Sequence, residues 1–202
     1  VKFKDLIYVG DYLNAIKVFN EKEVDELIVL DISASKNKSG PNFDLIKKIS
    51  SECFMPVCYG GGIRSLEDAK KVFSLGVEKI SLKSSILYDT SLISELTNYF
   101  GSQSIVISID IKKDWLGNYR IYDKSKNLNI KENWKNFINI VQEKGAGEIL
   151  LNSVDKDGLM DGPDLQLIEE ATTLINIPMI YIGGVGSINH LKTIFNKNIK
   201  AV

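Results

Sequence analysis

Two glycine runs, Tyr59-Gly60-Gly61-Gly62-Ile63 and Ile182-Gly183-Gly184-Val185-Gly186, each close an apolar stretch and open a helical one, and Gly60 and Gly183 lie 123 positions apart. A second pair of apparent strand ends, Asp31 in LIVLDISAS and Asp155 in ILLNSVDKDG, lies 124 apart. A chain that repeats its strand ends at nearly one interval reads as a doubled (βα)4 unit. That reading restricts it to parallel-sheet architectures.

The 202 residues, 44% hydrophobic and 25% charged, suit one globular domain with a substantial core. A net charge of −1, with no basic run longer than a lysine pair, leaves no electrostatic footprint for nucleic acid. No apolar run approaches the roughly 18 residues of a membrane span. Cys53 and Cys58 have no second Cys or His pair nearby, so they are expected to be buried free thiols in a reducing cytoplasm. His190, the only histidine, falls in the last helical pattern, and no metal or cofactor site is expected.

Ile- and Val-rich strand patterns cover Leu27–Ile32, Met55–Tyr59, Lys79–Lys83, Ile105–Ile111, Glu148–Val154 and Pro178–Ile182. Helical patterns cover Tyr12–Val24, Asn42–Cys53, Leu66–Leu75, Ser91–Phe100, Lys131–Lys144, Asp164–Leu174 and Ile188–Asn198. Ser65 and Asp68 form a capping-box pattern, and Gly76, Gly101 and Gly145 stand where helices stop. Near-continuous apolar strands between helices call for an α/β fold, a (β/α)8 TIM barrel of duplicated half-barrel type, with a doubly wound sheet as the alternative. Six strands and seven helices leave two strands unaccounted for. Residues 1–202 are therefore expected to be a single barrel domain lacking strand 1 and strand 8, an internal fragment of a longer barrel.

In such barrels chemistry sits where strands hand over to the following loops. Gly61 and Gly62 offer backbone N–H groups at a helix start, which suits a phosphate, and Lys83-Ser84 add a cation and a hydroxyl after the next strand. Asp157-Gly158 with Gly183 and Gly184 repeat the arrangement in the other half. Glycine turns also arise wherever φ must be positive, so a plain turn remains the competing account. Asp110, closing SIVISID, is the expected general acid–base, partly desolvated at an apolar strand's end. Glu26, Lys79 and Glu148 each precede an apolar run on alternate strands and could form one charged layer at the barrel's bottom, a gate or plug. Trp115 and Trp134 are expected to pack or lie on the surface. Lys112 and Lys113 either screen a phosphate or are solvated, and the polar stretch Trp115–Asn129 is expected to form a hairpin lid.

DELIVLDISAS, the GGGI turn, FGSQSIVISIDIKK, GAGEILLNSVDKDG and IGGVG, in this order, resemble the HisF family, the cyclase subunit of imidazole glycerol phosphate synthase. The resemblance implies a cytoplasmic subunit of a glutamine amidotransferase complex, partnered by a HisH-type glutaminase whose ammonia passes through the barrel. It implies that ammonia and a bis-phosphorylated ribulosyl-formimino-carboxamide ribonucleotide give imidazole glycerol phosphate and aminoimidazole carboxamide ribotide, in histidine biosynthesis. On this resemblance Asp110 matches the family's second catalytic aspartate. Gly62 and Ser84 match one phosphate site; Asp157, Gly158 and Gly184 match the other. Asp31 matches a substrate-facing acid, and Glu26, Lys79 and Glu148 match three residues of an ammonia gate. Lys83 stands where the family usually has Asn, and Asn152 where the histidine enzyme has Thr; both positions touch substrate.

FKDLIYVGDYLNAIKVFNEKEVDEL and FMPVCYGGGI are more similar to HisF-like paralogues that deliver ammonia for acetamidino-sugar biosynthesis. Two further readings stand beside these. One is a phosphoribosyl isomerase of the HisA type, which needs no ammonia gate; the other is a non-catalytic scaffold that activates a glutaminase.

Overall fold

The computed structural model describes residues 10–37, 39–197, 199 and 201–202. The opening residues 1–9, part of one stretch that carried the paralogue resemblance, lie outside the described residues. The chain divides into two compact units, with the boundary between Val106 and Ile107.

The first unit runs α1 (Tyr12–Glu21), β1 (Leu27–Leu30), α2 (Ile32–Asn37), α3 (Phe43–Glu52), β2 (Val57–Gly60), α4 (Leu66–Ser74), β3 (Lys79–Leu82) and α5 (Ser91–Phe100). Its strands pair in parallel, Ile28 opposite Cys58 and Cys58 opposite Lys79. The amphipathic helices cover this sheet: Ile16 of α1 and Ile49 of α3 pack on Val57, with Leu27, Val29, Leu45 and Cys53 around them. Each helix begins where the sequence supplies an oxygen to its open N–H groups, Asp11 to Leu13, Asn42 to Leu45 and Ser65 to Asp68.

The second unit begins within β4 (Ile105–Lys113), at Ile107, and runs on through β5 (Tyr119–Asp123) and β6 (Leu128–Asn129), then α6 (Trp134–Glu143), β7 (Glu148–Ser153), α7 (Leu165–Thr172), β8 (Met179–Ile182) and α8 (Ile188–Phe195). β7 pairs with both β4 and β8, the latter in parallel, with Asn152 opposite Ile182. Ala201 extends this parallel pairing: its carbonyl accepts from Tyr181 N–H at 3.1 Å, beside a bridge to Ile180. Buried Ile105, Val106, Ile107, Ile109 and Ile111 make β4 a strand covered on both faces.

This is the expected α/β class, a mostly parallel sheet with alternating helices, consistent with a (β/α)8 barrel. All six expected strands and all seven expected helices are present, and Ser91–Phe100 matches to the residue. The hairpin expected over Trp115–Asn129 is also present, with β5 antiparallel to β6 and Tyr122 opposite Asn129. β4 continues to Lys113, turns at Asp114, whose Oδ1 accepts from Leu116 and Asn118, and returns antiparallel as β5. One helix was not foreseen. The first strand stops at Leu30 because Asp31 Oδ1 accepts from the N–H groups of Ser33 and Ala34, which turns the chain into α2.

Candidate active site

Asp110 is 2% exposed near the C-terminal end of β4, one register step before the hairpin leaves the sheet. Beside it on β7 is Asn152, 7% exposed, whose side-chain N–H donates to Asp110 Oδ1 at 3.1 Å. The pleat explains the pairing: Ser108 and Asp110 alternate with Ile107, Ile109 and Ile111 along one strand, as Asn152 alternates with Leu151 and Ser153 along its neighbour. Both residues were expected separately from the sequence, and this bond joins them.

The second glycine turn lies in the same unit. Asp157, Gly158, Gly183 and Gly184, all expected at a phosphate site, line a cavity of about 310 Å3 with Met160, Tyr181 and Val185. Gly184 has φ +77°, and its Cα faces the carbonyl of Gly162, which accepts no side chain there. His190 stands at this turn. It falls in the last helix, as expected, in the first turn of α8, and its Nδ1 accepts from Gly186 N–H at 3.2 Å.

The first unit repeats this construction with a period of 122, not 123 or 124. Gly62 (φ +75°) corresponds to Gly184 (φ +77°), and each closes on a second glycine backbone, Gly40 and Gly162. Asn42 N–H donates to the Tyr59 hydroxyl at 3.3 Å, as Asp164 N–H does to Tyr181 at 2.8 Å. Asp68 Oδ2 accepts from Arg64 N–H at 2.9 Å, in the place where His190 serves Gly186. The pairing of Gly60 with Gly183 is therefore corrected: Gly60 ends β2 as Ile182 ends β8, and Gly61 is the partner of Gly183. Likewise Asp31 corresponds to Ser153, not to Asp155. A Cβ on Gly61 would meet the Asp31 carbonyl, and one on Gly183 the Ser153 carbonyl. Asp155 instead accepts from Lys113 N–H at 2.8 Å.

Asp31 is partly exposed, and its Oδ1 is engaged by the Ser33 hydroxyl at 2.6 Å as well as by the cap of α2. Lys83 and Ser84 are partly buried in the turn that follows β3. At the strand beginnings Lys79 and Glu26 form an ion pair at 2.7 Å with side chains 21% and 25% exposed. Glu148, the first residue of β7 in the other unit, is partly buried.

Other expectations are refined. Cys58 is buried and Cys53 only partly so, and neither forms a disulfide among the described residues; burial, with Glu78 and Glu52 nearby, pushes the Cys53 thiol up. Trp115 is 91% exposed, whereas Trp134 is buried and meets Tyr119 edge-on at 6.2 Å. Lys112 lies over the Tyr122 ring at 4.6 Å. Lys113 lies over Tyr119 at 4.9 Å and 3.7 Å from Asp164, so neither is simply solvated. Among the described residues no group of His, Cys, Asp and Glu is arranged to hold a metal, and no helix is long and apolar enough to cross a membrane.

Sequence reasoning missed the polar cluster of Tyr119, Asp164 and Tyr181. Asp164, 8% exposed, caps α7, accepts from the Tyr119 hydroxyl at 2.7 Å and donates its N–H to Tyr181. The only signal was an Asp before a helical pattern. It missed as well a polar cleft of about 360 Å3 on the hairpin's flank, lined by Asn118, Arg120, Trp134, Lys135 and Glu170.

Residues 1–202 match the sequence profile of the family described as "Histidine biosynthesis protein". The chain is 48% identical over 98% of its length to the "Putative imidazole glycerol phosphate synthase subunit hisF2" of Pseudomonas aeruginosa, covering 78% of that protein. It is 44% identical over 98% of its length to a "Putative imidazole glycerol phosphate synthase subunit HisF" of Leptospira borgpetersenii, covering 78% of it. It is 35% identical over 98% of its length to the "Imidazole glycerol phosphate synthase subunit HisF" of Streptococcus sanguinis, again covering 78%.

Proposed function

This chain belongs to the histidine biosynthesis protein family, and on that premise we propose that it is the cyclase subunit of imidazole glycerol phosphate synthase. The reaction joins ammonia to a bis-phosphorylated ribulosyl-formimino-carboxamide ribonucleotide and yields imidazole glycerol phosphate and aminoimidazole carboxamide ribotide. One observation carries the reading: in a chain matched along its length by proteins of that name, the strand-end Asp110 is a buried carboxylate held by a neighbouring amide, which suits a proton-transferring group.

Ring closure and fragmentation require protons to leave the incoming nitrogen and reach the departing one. Asp110 Oδ carries them as general base and then acid, a contribution of roughly 100- to 10,000-fold in rate. The backbone N–H groups after Gly61 and Gly62, with Lys83 and Ser84, hold one substrate phosphate. Those after Gly183 and Gly184, with Asp157 and Gly158, hold the other. Near-identical φ angles at the two turns support treating them as one device used twice for two like groups. Asp31 faces the substrate with the carboxylate oxygen that α2 does not use.

Ammonia comes from a glutaminase subunit of the HisH type, and Glu26, Lys79 and Glu148 gate its entry. The Glu26–Lys79 ion pair at 2.7 Å supports this role, since a closed pair at the strand beginnings must open to admit a neutral molecule. Residues 1–202 belong to a single barrel domain, as part of a longer barrel, of a cytoplasmic protein.

The test is ammonia-dependent consumption of the ribulosyl-formimino substrate, followed by absorbance. Turnover that falls at least about 100-fold in Asp110→Asn, with the melting temperature kept, is the expected result. No turnover by folded wild-type protein would remove the cyclase and leave an ammonia-delivering subunit. Unchanged turnover in Asp110→Asn would remove Asp110 from the chemistry.

A further inference from the structure

The amide of Asn152 has one satisfied end and one unsatisfied end. Its nitrogen donates to Asp110 Oδ1 at 3.1 Å, and this bond fixes which way the amide points. The carbonyl end, Oδ1, is thereby committed as an acceptor. It is buried and has no hydrogen-bond partner among the described residues, on a side chain only 7% exposed. Buried acceptors are almost always paired, because leaving one unmade carries the full cost of taking it from water. An orphan acceptor beside the reacting carboxylate is the mark of a partner that arrives with the reactants.

We propose that Asn152 acts twice at this centre: its N–H positions the Asp110 carboxylate, and its Oδ1 receives a hydrogen-bond donor, N–H or O–H, from a bound reactant. The inference rests on the cyclase reading above and deepens it by stating what the reactant must present. A serine or threonine hydroxyl rotates and can donate or accept, so it places no such demand. Asn152, locked by Asp110, accepts only. Two sources meet the requirement: ammonia itself, with three N–H bonds, and a hydroxyl or amide of the ribulosyl substrate.

The variants Asn152→Leu and Asn152→Asp separate the two actions, because leucine removes both, while aspartate, which must share a proton with Asp110 at this distance, disturbs that carboxylate but keeps an acceptor of the same shape on its other oxygen. Turnover is measured against ammonium chloride and against the ribulosyl substrate in turn. In Asn152→Leu the KM for one reactant is expected to rise about tenfold or more, while the other stays within about twofold. The reactant whose KM moves is the one that carries the donor. In Asn152→Asp that KM is expected to stay within about threefold while kcat falls. If neither KM moves in a folded Asn152→Leu protein, or both rise together, Oδ1 receives nothing specific and the proposal is overturned.

Should leucine prevent folding, Asn152→Asp and a second measurement still decide. In 15N-labelled wild type the side-chain NH2 signals of Asn152, assigned by their disappearance in Asn152→Asp, are followed during titration with ammonium chloride and then with the ribulosyl substrate. A saturable shift with either supports the proposal; no shift with both overturns it. This readout needs no turnover, so a wild type without cyclase activity fails the functional reading and leaves the Asn152 result to stand or fall by itself.

Discussion

The Tyr119 hydroxyl donates to Asp164 Oδ1 at 2.7 Å, tying the strand that returns from the hairpin to the residue that caps α7. Asp164 in turn donates its backbone N–H to the Tyr181 hydroxyl at 2.8 Å, on the strand that leads to the second glycine turn. The hairpin after Asp110 is thus fastened to the element behind the proposed phosphate site. Tyr119→Phe removes the donor and leaves a buried carboxylate oxygen short of one bond, which costs about 1.5–3 kcal/mol. Urea unfolding is expected to show that loss. A change below about 0.5 kcal/mol would mean the bond is replaced by water.

The same cluster sets the behaviour in alkali. Burial, then the bond to Asp164, holds the Tyr119 phenol well above the usual tyrosine range, burial pushes Tyr181 up to about 12, and burial raises Tyr59 too. A phenol whose folded value is raised keeps its proton in the native state while the unfolded chain gives it up. Its stabilising effect is whole below about pH 10 and is lost as pH rises from there through the folded value. Stability is therefore expected to fall only gently between about pH 8 and 9.5, where the raised Cys53 thiol begins to titrate in the unfolded chain, and steeply from about pH 10 to 12. Denaturant unfolding, together with tyrosinate absorbance at each pH, checks this. Tyr181→Phe should make the fall shallower.

Much of this molecule was legible because two signals coincide in it. Apolar runs such as SIVISID are too continuous for a half-exposed strand, and the glycines that end them are needed by the backbone, so strand ends were found within a few residues. The repeat was visible but its phase was not: the runs GGG and GGVG can be aligned in more than one way, and only φ angles and the backbones opposite Gly62 and Gly184 choose 122. The contact of His190 with Gly186 was invisible for a related reason. In the first unit an Asp takes that position, so the chemistry of the repeat changed while its geometry stayed. The Tyr119–Asp164 bond spans 45 residues and joins elements that no periodicity relates. Asp110 and Asn152 were each found, but their bond required the pairing of β4 with β7.

Gly184→Ala tests whether the second turn tolerates any side chain. At φ +77° alanine costs about 1–2 kcal/mol, and its Cβ would run into the Gly162 carbonyl, which is backbone and cannot swing aside. A total loss of about 2–4 kcal/mol is expected, measured by thermal or urea unfolding. Gly117→Ala is the control. It has a similar φ of +83° but open space around its Cα, so it should show the conformational cost alone. Equal losses in the two variants would mean that the approach of Gly184 to Gly162 relaxes without cost.

Lys79→Met tests the gate without touching the chemistry. The Lys79–Glu26 pair lies at the beginnings of β3 and β1, the opposite strand ends from the glycine turn that follows β2, and its side chains are about three-quarters buried. Methionine keeps the length and apolar packing of the lysine stem but leaves Glu26 without its cation. If the pair governs entry of ammonia made by a glutaminase, glutamine-driven turnover in the complex should fall about tenfold or more. Turnover driven by added ammonium chloride, which reaches the reaction centre without the glutaminase, should stay within about twofold. Leaving Glu26 without its cation in a mostly buried place is expected to cost about 1–3 kcal/mol in unfolding, between the exposed-pair and fully buried cases, so turnover is compared where both proteins are folded. Equal losses in both assays would make Lys79 a structural residue of the sheet, and no loss in either would take the ion pair out of ammonia transfer.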